Sequence, residues 1–250
     1  MSGHSKWANI KHAKGKMDAQ RGKVFSKLSR EITVAAKQGG GDPDGNPRLR
    51  LAMEKAREAN MPKDNIERAI AKATGPGEGI QLEEVTYEGY GPAGVAILVD
   101  AVTDNKNRTA SDVRYIFDRN SGKMGSAGTV AWMFQKKGVI TVSAKDVSED
   151  DLLSGAVDAG AEDLVRDGDL FSVTTPFEKL SAVADALKTR KFPVVRSEVL
   201  QVAQNTIRVE GEDARHLIKL MQALEDHDDV HNVHANFDIP DEILKEVAST

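Results

Sequence analysis

One glycine- and proline-rich stretch, Thr74-Gly75-Pro76-Gly77-Glu78-Gly79, divides the 250-residue chain into two textures that no single fold accommodates. Before it, apolar residues recur at helical spacing. After it, short apolar runs of strand character alternate with amphipathic helical stretches. A 3.6-residue period and a 2-residue period demand different backbones. The expected fold class is therefore α+β and multidomain: an N-terminal three-helix domain followed by two ferredoxin-like α/β domains.

The first 16 residues read as extended, polar and basic, broken by Gly3 and Gly15. A helix is expected from Met17 to Lys37, its stripe formed by Phe25, Leu28, Ile32 and Ala35. Lys16, Lys23, Arg30 and Lys37 recur every seven residues with Lys27 between them, which predicts a cationic ridge off that stripe. Asn46-Pro47 reads as an N-cap followed by Pro at the first helical position. Leu49, Ala52, Met53 and Ala56 would face inward on the second helix. A third helix starts at Pro62, with Ile66, Ala69 and Ile70 inward.

Beyond the linker, strands are expected at 85–88, 95–101, 129–135, 138–143, 164–166, 170–174, 194–201, 206–210 and 230–239. Helices are expected at 107–119, 148–158, 177–189 and 212–225. They group into two β-α-β-β-α-β sets. The middle set, Lys137 to Val202, is complete alone. The outer set needs Val95–Gln135 and Thr206–Ile239. Split βαβ units satisfy the right-handed crossover rule with short loops. The expected domains are thus 1–74, 80–135 plus 203–240, and an inserted 136–202; a consecutive arrangement is the alternative.

Charge is distributed unevenly. Residues 1–74 carry 16 Lys/Arg against 8 Asp/Glu, +8, and the remaining 176 carry 18 against 31, -13, giving the net -5. A basic segment on an acidic chain points to an anionic partner, nucleic acid above all. A solvated charged face is the plain alternative. The absence of cysteine removes disulfides, thiolate metal ligands and a Cys nucleophile. The longest apolar run, Val95-Ala96-Ile97-Leu98-Val99, falls far short of the ~20 residues of a membrane helix. A soluble, cytoplasmic protein without a membrane partner is expected.

Gly89-Tyr90-Gly91-Pro92-Ala93-Gly94 spells G-x-G-x-x-G, but a strand follows where the dinucleotide fingerprint requires a helix. A hairpin turn is the expectation there. His227, His231 and His234 suggest metal, yet residues three apart on a strand point to opposite faces. No metal site and no cofactor are expected. The acid pairs Glu83-Glu84, Asp150-Asp151 and Asp228-Asp229 lack a base at motif spacing, and no G-x-S-x-G, H-E-x-x-H or kinase signature occurs. No catalytic residue is assigned. The strand at 95–101 has none of the aromatics that a sheet uses to stack RNA bases.

Gly3-His4-Ser5-Lys6-Trp7-Ala8-Asn9-Ile10-Lys11-His12 and Asn60-Met61-Pro62-Lys63-Asp64-Asn65-Ile66-Glu67-Arg68-Ala69-Ile70 carry a resemblance. So do Arg30-Glu31-Ile32-Thr33-Val34-Ala35-Ala36, Tyr87-Glu88-Gly89-Tyr90-Gly91-Pro92 and Leu224-Glu225-Asp226-His227-Asp228-Asp229-Val230. Over essentially its whole length the chain resembles the YebC/PmpR family. The resemblance implies one helical and two α/β domains without enzyme activity. It implies a probable transcriptional regulator that binds DNA, or a relative of the mitochondrial translational activators that act at the ribosome.

The expected nucleic-acid-binding residues are His4, Lys6, Trp7, Lys11, His12, Lys14, Lys16, Arg21, Lys23, Lys27, Arg30 and Lys37. Trp7 could stack on a base or anchor the arm on the bundle. The partner would be DNA or ribosomal RNA, with a protein partner on the acidic α/β domains as a further reading.

Overall fold

A computed structural model describes residues 19–75, 81–240 and 242–243. Helix α1 (Ala19–Gly39) ends where Gly40 turns left-handed at φ +88°. Helices α2 (Pro47–Glu58) and α3 (Lys63–Thr74) complete a bundle. Its core is Ile32, Ala35, Ala36, Leu49, Ala52, Ala56, Met61, Ile66 and Ala69, with Phe25 and Leu28 packed at its edge. Five of those nine are alanines, so the helices can approach closely.

Asn46 ties the bundle's first turn together. Its Oδ1 accepts from Leu49 N–H at 3.1 Å, while its Nδ2 donates to Ala35 O and Gly40 O, each at 2.8 Å. It thus caps α2 and satisfies carbonyls at the end of α1.

Strands β1 (Glu83–Tyr90) and β2 (Ala96–Thr103) form an antiparallel hairpin. Helix α4 (Lys106–Arg119) then leads to β3 (Lys123–Met124), which pairs with β1. With β9 (Val230–Ala235) the sheet runs β3-β1-β2-β9, so β2-α4-β3 is a split crossover around β1. Helix α7 (Gly211–Glu225) packs against α4, burying Leu217, Ile218, Leu220, Met221 and Leu224. The glycine-rich motif closes the β1–β2 hairpin, Gly91 N–H donating to Val95 O at 2.8 Å. A Cβ on Gly91 would lie 2.9 Å from Ile97 Cδ1 and 3.0 Å from Leu217 Cδ1, so a larger residue would press on the core there.

The middle set folds as β4 (Phe134–Ser143), α5 (Glu149–Ala159), β5 (Asp163–Asp167), β6 (Leu170–Pro176), α6 (Leu180–Thr189) and β7 (Val194–Ala203). Its sheet runs β5-β6-β4-β7 with antiparallel neighbours, the ferredoxin-like arrangement. Ser148 caps α5, its side chain accepting from Asp151 N–H. Ile140, Phe171, Val173, Leu152, Val183 and Leu187 fill the core. Among the described residues, contacts gather Trp132–Arg208 with His234–Ile239 into one unit, and the bundle with β1, β2, α4, β3, α7 and β9 up to Val233 into another.

Three expectations need correcting in detail. The segment 129–135 is not a separate strand: Ala131–Met133 is a 3-10 turn, and β4 runs unbroken from Phe134. The cause is Glu88, whose carboxylate gathers the N–H groups of Gly128, Val130 and Ala131 and turns the backbone there. The strand expected at 206–210 shrinks to β8 (Ile207–Arg208), which pairs in parallel with β10 (Phe237–Asp238) outside the larger sheets. The outer sheet instead recruits β1 and β3, strands that the β-α-β-β-α-β grouping left out of it.

Candidate nucleic-acid interface

Seven of the twelve expected contact residues, His4, Lys6, Trp7, Lys11, His12, Lys14 and Lys16, lie outside the described residues. The other five sit on α1. Arg21 and Lys37 are exposed near its two ends. Lys23, Lys27 and Arg30 share one face, on which Lys23 is exposed and Lys27 and Arg30 are half-buried.

It lies along the C-terminus of α7 and the acidic turn after it. Lys27 Nζ donates to Glu225 O at 2.6 Å, Lys23 Nζ to Asp226 O at 3.4 Å, and Arg30 to Asp228 O at 3.0 Å. Lys23 also stands 3.6 Å from the Asp228 carboxylate. A helix C-terminus presents unpaired carbonyls and about half a negative charge. Lys27 and Lys23 therefore cap a helix of the same chain, and Arg30 holds the turn that follows it.

Asp229 anchors this arrangement. Its side chain is 5% exposed and accepts from Arg30 at 2.6 Å, Arg108 at 2.8 Å and Thr109 Oγ1 at 2.7 Å. Burial pushes its carboxyl up. The bonds from Arg108 and Thr109 and the charges of Arg30 and Arg108 more than offset that and hold it at about 2. Next along β9, burial drives the His231 imidazole down to about 4; Glu31 opposes this, while Lys27, Arg30 and Lys55 reinforce it. Glu31 itself is held below the usual carboxylate range, because Lys55 at 3.0 Å outweighs the upward push of burial. His227 Nε2 lies 3.3 Å from Asp112. Among the described residues no group of three or more His, Asp or Glu is placed to hold a metal ion.

A cleft of about 330 Å³ opens between α1 and α3. Ser29, Arg30 and Thr33 of α1 and Asn65, Arg68 and Lys72 of α3 line it, together with Ala69, Leu82 and Asp104. Thr33 Oγ1, bonded to Ser29 O at 2.8 Å, also reaches Ala69 O at 3.3 Å and spans the two helices. Arg68 is steadied by a 3.1 Å bond to Asp64 O and by Asn65 Oδ1. Three cations facing one cleft with hydroxyl and amide donors suit an oxyanion.

Profiles of two domain families cover nearly the whole chain: the TACO1/YebC protein N-terminal domain over residues 5–76, and the TACO1/YebC second and third domain over residues 82–237. The chain belongs to the TACO1/YebC family. A relative from Dictyoglomus turgidum is 56% identical over 99% of this chain and 100% of its own, and one from Syntrophobacter fumaroxidans is 56% identical over the same shares. Each is named a probable transcriptional regulatory protein. The crystal structure of a conserved hypothetical protein from Aquifex aeolicus is similar, with a TM-score of 0.84 and 49% identity over 91% of this chain and 94% of that one. Membership in the TACO1/YebC family fits the α+β multidomain fold described above.

Sequence reasoning missed two parts of the site. Arg68 and Lys72 stand four residues apart on α3, spacing that marks a shared face, but they lie outside the basic arm that drew attention. The partner of Lys27 is 198 residues away, and no local pattern reports such a pairing.

Proposed function

We propose that this protein is a non-enzymatic regulator of gene expression that binds nucleic acid through its helical N-terminal part. The transcriptional role in its relatives' names makes DNA the first partner to test. The carrying observation is that Arg30, Arg68 and Lys72 converge on one cleft of a basic bundle whose first 74 residues hold a charge of +8 against -13 elsewhere. Such a surface attracts polyanions, and the acidic remainder turns them away from itself. The three-domain division at 1–74, 80–135 plus 203–240, and 136–202 belongs to this reading, as does work in the cytoplasm. No described helix is long and apolar enough to cross a membrane.

A second reading is a ribosome-associated translation factor using the same surface. It draws support from the engagement of Lys23, Lys27 and Arg30 with the end of α7 and the turn after it, which leaves few groups on α1 to read base edges. The full-length protein decides between them. Fluorescence anisotropy should give log K falling linearly with log salt on any polyanion that binds. A promoter fragment preferred over random duplex by ~10³ or more establishes the transcriptional reading. Co-sedimentation with ribosomal particles without that preference establishes the second. No binding to either at low salt refutes the proposal.

A further inference from the structure

We propose that the α1–α3 cleft is a seat for a single phosphodiester unit of a nucleic-acid strand, gripped by Arg68 and Lys72. The proposal rests on the nucleic-acid reading above and goes on to name the residues and the chemistry. Size comes first. At about 330 Å³ the cleft stands at the low end of the ~300–1,000 Å³ typical of ligand sites. One nucleotide unit fits; a duplex stays outside.

Chemistry comes second. Arg68 and Lys72 are exposed on successive turns of α3, with one face toward the cleft. Arg68 is already held by Asp64 O and Asn65 Oδ1, so its guanidinium loses little freedom on binding. Arg30 lines the cleft, but its guanidinium is bonded to Asp229, so the grip falls to Arg68 and Lys72. Ser29 and Asn65 add neutral hydrogen-bonding groups.

Polarity comes third. Asp104 is the single carboxylate of the lining and is paired with Arg108 at 2.8 Å. Arg68 and Lys72 both stand on α3, so the phosphate belongs against that helix. The phosphodiester is common to RNA and DNA, and the test separates the two sources.

The experiment measures binding of short oligouridylate and oligothymidylate to the full-length protein across a salt series. Wild type is compared with Arg68→Glu/Lys72→Glu, with Arg68→Gln/Lys72→Gln, and with Lys63→Glu. Lys63 is a cation of α3 whose side chain is 86% exposed, outside the cleft lining. Thermal melting checks that every variant folds. Both double variants should lose roughly tenfold or more in affinity, and the slope of log K against log salt should shrink by ~1 per cation removed. Lys63→Glu should change either quantity far less. Loss confined to oligouridylate assigns the seat to RNA, loss confined to oligothymidylate to DNA, and loss on both to the backbone alone. Wild-type binding that the double variants leave intact, or that Lys63→Glu weakens equally, overturns the cleft while sparing the nucleic-acid reading. Absence of wild-type binding to any polyanion overturns both.

Discussion

Arg30 and Asp229, 199 residues apart in sequence, meet at 2.6 Å, and this contact joins the helical bundle to the start of β9. The carboxylate also accepts from Arg108 and Thr109, so an acid that is nearly buried is fully compensated. The same residue, Arg30, faces the α1–α3 cleft. A cation that sequence reading assigns to nucleic acid is therefore also part of the scaffold.

Arg30→Ala should destabilise the protein by ~2–4 kcal/mol, toward the low end because Arg108 still pairs with Asp229. Urea unfolding checks this. The acid limb gives a second readout. Asp229 titrates at about 2 when folded and near 3.8 ordinarily, so its stabilisation is complete above pH ~4 and is lost as pH falls through 2. In Arg30→Ala that loss should be smaller and should end at higher pH, since its onset is set by the unfolded carboxyl. An acid midpoint identical to wild type would show that the pair is idle.

His231 sets the pH response nearer neutrality. Its imidazole titrates at about 4 instead of 6.5, and its Nε2 is buried without a hydrogen-bond partner among the described residues. Between those two values the unfolded chain binds more protons than the folded one. Stability is thus full above pH 6.5 and falls as pH drops toward 4, by about 3 kcal/mol in all. His231→Asn should flatten the stability profile across that window while leaving the drop below pH 4. A profile with unchanged slope would remove His231 from the account.

Much of the fold was legible because local chemistry dictates it. The stripe of Phe25, Leu28, Ile32 and Ala35 gave α1, and Asn46-Pro47 and Ser148 gave helix starts that side-chain caps do occupy. What stayed hidden depends on partners distant in sequence. The backbone at 128–131 reads as extended until Glu88, some 40 residues earlier, captures its N–H groups. The ridge of Lys23, Lys27 and Arg30 reads as solvent-facing until the end of α7 is laid beside it. The cleft itself needs α1 and α3 packed through alanines, which no one-dimensional pattern places.

Asn46→Ala should strike the bundle selectively. The substitution removes the α2 cap, typically worth ~1 kcal/mol, and strips a donor from two carbonyls at the end of α1. Asn46 is 4% exposed, so water does not readily replace it. The total expected loss is ~2–3 kcal/mol, read by denaturant unfolding, with faster hydrogen exchange at the Leu49 amide. Asn46→Asp should keep the cap but set a buried carboxylate oxygen against those two carbonyls, and so be no more stable than Asn46→Ala. Equal stability of all three would contradict the capping role.

Glu88 offers the sharpest test of how the chain leaves the first sheet. Its Oε1 accepts from Gly128 N–H at 2.6 Å, and its Oε2 accepts from Val130 at 2.7 Å and Ala131 at 2.8 Å. Burial pushes this carboxyl up, but the backbone bonds from Val130, Gly128 and Ala131 prevail and hold it below the usual glutamate range. Its stabilisation is present above the ordinary glutamate value and is lost as pH falls through the lowered one. Glu88→Gln preserves shape but puts an NH2 where one of these N–H groups needs an acceptor. Donor then faces donor, which should cost ~1.5–3 kcal/mol. The expected signature is faster hydrogen exchange at Gly128, Val130 and Ala131, together with the disappearance of this group's acid-limb contribution. Because β4 begins only three residues after Ala131, the turn's geometry decides where that strand starts. If those three amides exchange as slowly in Glu88→Gln as in wild type, the carboxylate is not what shapes the turn.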